Sequence, residues 1–131
     1  NLFDEMLLVS SELKNSESVS KLYESYEFHI KNLMESTEKV RKLLINDNQK
    51  SISGFASPYT KMFGHVLGGY YMVKAAVLAD KKYKETDEEF YKDKITLSKF
   101  YIEQLLPLSA TNMPPIDCDV DDLFSIKNED F

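Results

Sequence analysis

Between residues 59 and 77 the apolar side chains Tyr59, Phe63, Val66, Tyr70, Val73 and Val77 return at a strict alternation of four and three. No other feature restricts the fold as much. A helix brings such positions onto one face, and that face needs a neighbour. The same rhythm occurs elsewhere. Leu2, Met6, Val9 and Leu13 keep it in a short stretch, and Val19, Tyr23, Tyr26, Ile30, Leu33, Thr37, Val40 and Leu44 keep it in a long one, with a single slip. Tyr91, Ile95, Ser98, Ile102 and Leu105 mark a last buried face. No segment sustains strand alternation. The pattern predicts an all-α, antiparallel up-and-down bundle of three to four helices near 2–14, 17–46, 57–82 and 86–108. Residues 1–109 form the bundle domain, and 110–131 form an extended acidic tail.

The seam helix contains Gly64, Gly68 and Gly69, each of which costs a helix about 1 kcal/mol relative to alanine. Gly64, Gly68, Ala75 and Ala79 make a stripe of small residues beside the seam. The expectation is that they let a neighbouring helix approach closely, with Ser98 of the last helix supplying the matching small residue. Ser57-Pro58 reads as this helix's start, a cap hydroxyl followed by proline at the first position. Lys61, Lys74 and Asp80 are expected on its solvent face. "NDNQKSISG" before it reads as a loop, and Thr86 with Glu89 reads as a capping box for the last helix.

The charge is unevenly spread. From Ala110 onward, Asp117, Asp119, Asp121, Asp122, Glu129 and Asp130 stand against Lys127, so the tail carries almost all of the net −6. There is no clustered basic face of the kind a nucleic-acid partner requires. No apolar run approaches the roughly 20 residues of a membrane span. The single cysteine, Cys118, excludes an internal disulfide, and the carboxylates around it blunt its nucleophilicity. The chain starts with "NLFDEMLLV", already in apolar rhythm, and reads as a fragment of a longer polypeptide.

Candidate chemistry is sparse. Asp117, Asp119 and Asp121 have the spacing of a calcium loop, but its sixth and twelfth positions are Asp122 and Asn128 instead of Gly and Glu. A di-iron bundle needs Glu-x-x-His on two helices, and the sequence has none. No metal site is expected. His65 in "HVLGG" follows the outline of a histidine phosphotransfer site, with Gly69 four residues on clearing space for a partner, but Gly68 stands where that outline has Lys. An adaptor or phosphorelay bundle using His65 is the alternative reading. A helix-edge histidine without a task is the simpler one, for His65 and for His29 alike.

Two stretches together resemble a known family. "SPYTKMFGHVLGGYYMVKAA" is similar to a segment of large acyl-CoA dehydrogenases in which a tyrosine turn leads into a Phe-Gly helix, here Tyr59, Phe63-Gly64 and Gly69-Tyr70. "KDKITLSKFYIEQLLPLS" resembles that family's last bundle helix, through Ser98, Phe100-Tyr101 and Leu105-Leu106-Pro107. "DVDDLFSIKNEDF" resembles its C-terminus, with Leu123-Phe124 and Asp130-Phe131. Tyr70 departs from the tryptophan common there. The likeness is to the helical domain appended after the catalytic core, including that of the 3-methylmercaptopropionyl-CoA dehydrogenase type. It implies a cytoplasmic, homodimeric parent enzyme whose FAD takes a hydride from the β-carbon of an acyl-CoA while a glutamate removes the α-proton. It also implies reoxidation by an electron-transfer flavoprotein. The flavin-binding core and its glutamate would lie upstream, so no residue here is assigned to catalysis or to FAD.

Overall fold

The seam that begins at Tyr59 belongs to α3 (Gln49–Thr86), which touches every other α-helix among the described residues. The computed structural model describes residues 1–46, 49–117 and 125–126, with the side chains of 49–53 outside that description. Among the described residues there is no strand. The bundle consists of α1 (Leu2–Lys14), α2 (Tyr23–Ile45), α3, α4 (Glu89–Phe100) and a short α5 (Met113–Asp117). Where α1, α2, α3 and α4 meet, Met6, Leu13, Tyr26, Ile30, Leu33, Met62, Val66, Val73 and Ile102 are fully buried. Each contributes about 1.5–3 kcal/mol by leaving water.

The ends of α1 follow from its sequence. Asn1 caps it: its side chain accepts from the Asp4 nitrogen at 3.1 Å, and the Asp4 carboxylate accepts in return. The polar run Lys14–Ser18 then breaks the helix. Ser16 turns its hydroxyl onto the Glu12 carbonyl at 2.8 Å, and a string of i→i+3 bonds carries the chain to Leu22. For this reason α2 starts at Tyr23 and not at 17. Its apolar face is buried from Tyr26 to Val40, and Leu44 at the far end is exposed.

Two expectations about α3 fail together. Ser57-Pro58 is not its start: the helix begins at Gln49, within the stretch expected to be a loop, and Pro58 lies inside it. Proline in a helix interior costs about 3 kcal/mol, partly by clashing with the carbonyl four residues back. Here that residue is Gly54. Upstream of the proline, Phe55 is buried, a contribution of the same order. Downstream, the Tyr59 hydroxyl lies 2.8 Å from Thr37 Oγ1 on α2. The helix is fixed to the core on both sides of the proline.

At its other end α3 outlasts the expected 82 and stops at Thr86. The expected capping box is absent. Thr86 closes α3 and donates to the Lys82 carbonyl at 2.8 Å, Asp87 takes the left-handed conformation at φ 55°, and α4 begins behind Glu88 with no side-chain cap. Asp is one of the few residues that adopts this conformation readily.

The last helix does not reach 108 as one α-helix. It changes at Phe100 into a π turn (Tyr101–Leu105) and then a 3₁₀ run (Leu106–Asn112). Pro107 has no N–H for the ladder, and the Leu106 nitrogen reaches back to the Tyr101 carbonyl. The segment from 110 to 117, expected to be extended, is also helical, because Ser109 and Ile116 are buried. Asp117 pairs with Lys39 of α2 at 2.6 Å. Most of the acidic tail lies outside the described residues.

Candidate functional site

The flank of α3 that carries Gly68 and Gly69 is covered by the turns that follow α4, through Tyr101, Ile102 and Leu106. Tyr101, the first residue of the π turn, lays its ring over Gly68 and donates its hydroxyl to the His65 carbonyl at 2.8 Å. A β-carbon on Gly68 would collide with that hydroxyl and stand 3.1 Å from the ring carbon bearing it. Beside it, a β-carbon on Gly69 would meet Leu106 Cδ1 at 3.1 Å and Ile102 Cδ1 at 3.6 Å. Burial pushes the Tyr101 phenol above its ordinary value, which keeps it a donor.

The four small residues singled out in the sequence do not share one environment. Gly68 faces Tyr101 and Ala79 is buried. A β-carbon on Gly64 would find nothing within 4 Å, and Ala75 is exposed. The stripe runs along the rim of the contact, so half of it turns to solvent. Ser98 is buried, but its hydroxyl bonds to the Lys94 carbonyl of its own helix at 2.9 Å. The atoms nearest the Gly68 position belong to Tyr101. In the sequence Tyr101 stands out only as part of the Phe100-Tyr101 motif. Nothing in helical spacing foretells the π turn that aims it.

His65 is half-buried, with Nδ1 3.0 Å from the Lys61 carbonyl one turn back. The glycine four residues on, expected to leave room for a partner, is buried beneath Leu106 and Ile102. His29 is buried against the 3₁₀ run, its Nδ1 3.4 Å from the Ser109 hydroxyl, and burial pushes its pKa below the ordinary imidazole value. Asp80 corrects the sequence reading outright. It was expected on the solvent face, yet it is 2% exposed. One carboxylate oxygen lies 3.4 Å from Lys84, which also reaches Glu17 at 3.4 Å, and the other has no hydrogen-bond partner. Its place three residues after Val77, in step with the seam, was the available signal.

Among the described residues no three His, Cys, Asp or Glu side chains gather as metal ligands. Asp117 is engaged with Lys39, while Cys118, Asp119, Asp121 and Asp122 lie outside the described residues. One recurring pyrophosphate cradle is a glycine-rich loop that opens a helix. All four glycines of this chain lie inside α3, none with positive φ. An open depression of about 260 Å³ on α2 is lined by Tyr23, Glu24, Glu27, Phe28 and Lys31. Glu27 is held at about 2 by Lys31, Ser10 and Tyr23, so it remains an anion, the wrong charge for a phosphate. Among the described residues no helix is long and apolar enough to cross a membrane.

What the described residues offer is a framework: a central helix, a glycine-floored crossing and polar ties between elements. Comparison with curated proteins and with solved structures finds no match. A family does match, described as acetyl-CoA dehydrogenase C-terminal like, across residues 4–126. That span takes in all of α2 to α5 and nearly all of α1, and the chain belongs to this family.

Proposed function

We propose that this chain is a non-catalytic helical domain that braces an FAD-dependent acyl-CoA dehydrogenase. The observation that carries the reading is the family match, which spans nearly the whole chain. The glycines all lie within one packed helix, which supports a structural role and argues against a flavin cradle. In this reading α,β-dehydrogenation takes place in an upstream core on the same polypeptide. FAD bound there accepts the hydride and an electron-transfer flavoprotein reoxidises it. The parent acts as a cytoplasmic homodimer, with the 3-methylmercaptopropionyl-CoA type among the possible substrate classes. The domain's part is to hold the core or its assembly in shape.

Two measurements test this. The isolated chain, incubated with FAD and desalted, is expected to retain no flavin and to leave acyl-CoA unoxidised; a yellow, active preparation overturns the reading. In the parent enzyme, removal of the domain is expected to lower the unfolding temperature or split the assembly. An unchanged temperature and an unchanged number of subunits in solution would remove the bracing role. The His65 alternative gains nothing from the geometry, since Leu106 and Ile102 occupy the space over Gly69 that it requires.

A further inference from the structure

We draw no further inference here: the strongest candidate, the surface patch of outward apolar side chains on α3 and α4 that includes Tyr71, Leu78, Phe90, Leu97 and Phe100, carries none because nothing in the structure shows what covers it.

Discussion

The two flanks of α3 are packed by opposite means. Toward α1 and α2 the contact is made of volume: Tyr26, Ile30, Leu33 and Met6 fill the space against Val66, Tyr70 and Val73. Toward the turns that follow α4 it is made of missing volume, with Gly68 beneath Tyr101 and Gly69 beneath Ile102 and Leu106. Each flank has one tyrosine hydroxyl donating to a helix carbonyl: Tyr26 to Met6 at 3.0 Å, and Tyr101 to His65 at 2.8 Å. The flank built from bulk is weakened by taking atoms away. The flank built from closeness is weakened by adding them. One helix therefore carries two contacts with opposite mutational signs.

The largest expected effect is on the bulky flank. Tyr26→Ala removes a fully buried ring and should lower stability by about 3–5 kcal/mol in urea unfolding. A loss under about 1 kcal/mol would mean that this flank is far looser than its burial implies.

The small flank should respond next. Gly68→Leu is expected to cost about 1–3 kcal/mol by overpacking, whereas Lys61→Leu, exposed on the same helix, should stay within about 0.5 kcal/mol. A double-mutant cycle sharpens the contrast. Tyr101→Phe removes the hydroxyl that a β-carbon at 68 would strike, so Gly68→Ala should be better tolerated in that background than in the parent. Strict additivity would show that the hydroxyl does not set the spacing.

Gly64→Ala has the opposite sign. The site is open and helical, so alanine should raise stability by up to about 1 kcal/mol. Destabilisation there would place Gly64 in a contact that this chain alone does not contain.

The helical periods were legible because burial on a bundle repeats every three or four residues, and α1 follows its seam from Met6 to Leu13, with Leu2 exposed at its start. The failures share a cause. Pro58 and Thr86 were read by local rules for starting a helix, but the burial of Phe55 and the continuation of α3 to Thr86 overrode those rules. The glycine stripe was visible as composition. Which of its members meets a neighbour was not, because Tyr101 reaches Gly68 from a π turn that no spacing encodes. Asp80 was misread because a charge was taken as solvent-facing although its seam position pointed inward.

The smallest effect lies in acid, where two groups of α2 with different partners titrate. Glu27, on α2, takes a hydrogen bond from Ser10 of α1, and its pKa is depressed to about 2. A depressed carboxylate stabilises the fold above its unfolded value near 4.3 and loses that contribution as pH falls toward 2. His29 binds its proton less readily folded than unfolded. Its contribution is complete above about 6.5 and declines as pH falls from there toward its lower folded value. Glu27→Gln should flatten the lower window of a stability–pH curve, and His29→Gln the upper. If both curves overlay the parent's, neither group is coupled to folding.

The π turn gives this helix an arithmetic of its own. In a regular α-helix, residues four apart are offset by about 40° around the axis. The wider turn from 101 to 105 reduces that offset, and Ile102 and Leu106 both come to rest over the single position Gly69. The helical segment from Leu106 to Asp117 is aimed by that one surplus residue, with Ser109 at His29 and Asp117 at Lys39. From Ile102 to Leu106 the count of residues matters more than the shape of each apolar side chain. A lineage could exchange leucine for isoleucine here with little consequence, but a codon gained or lost between 101 and 105 would swing the segment from Leu106 to Asp117 by about 100° and part Ser109 from His29 and Asp117 from Lys39.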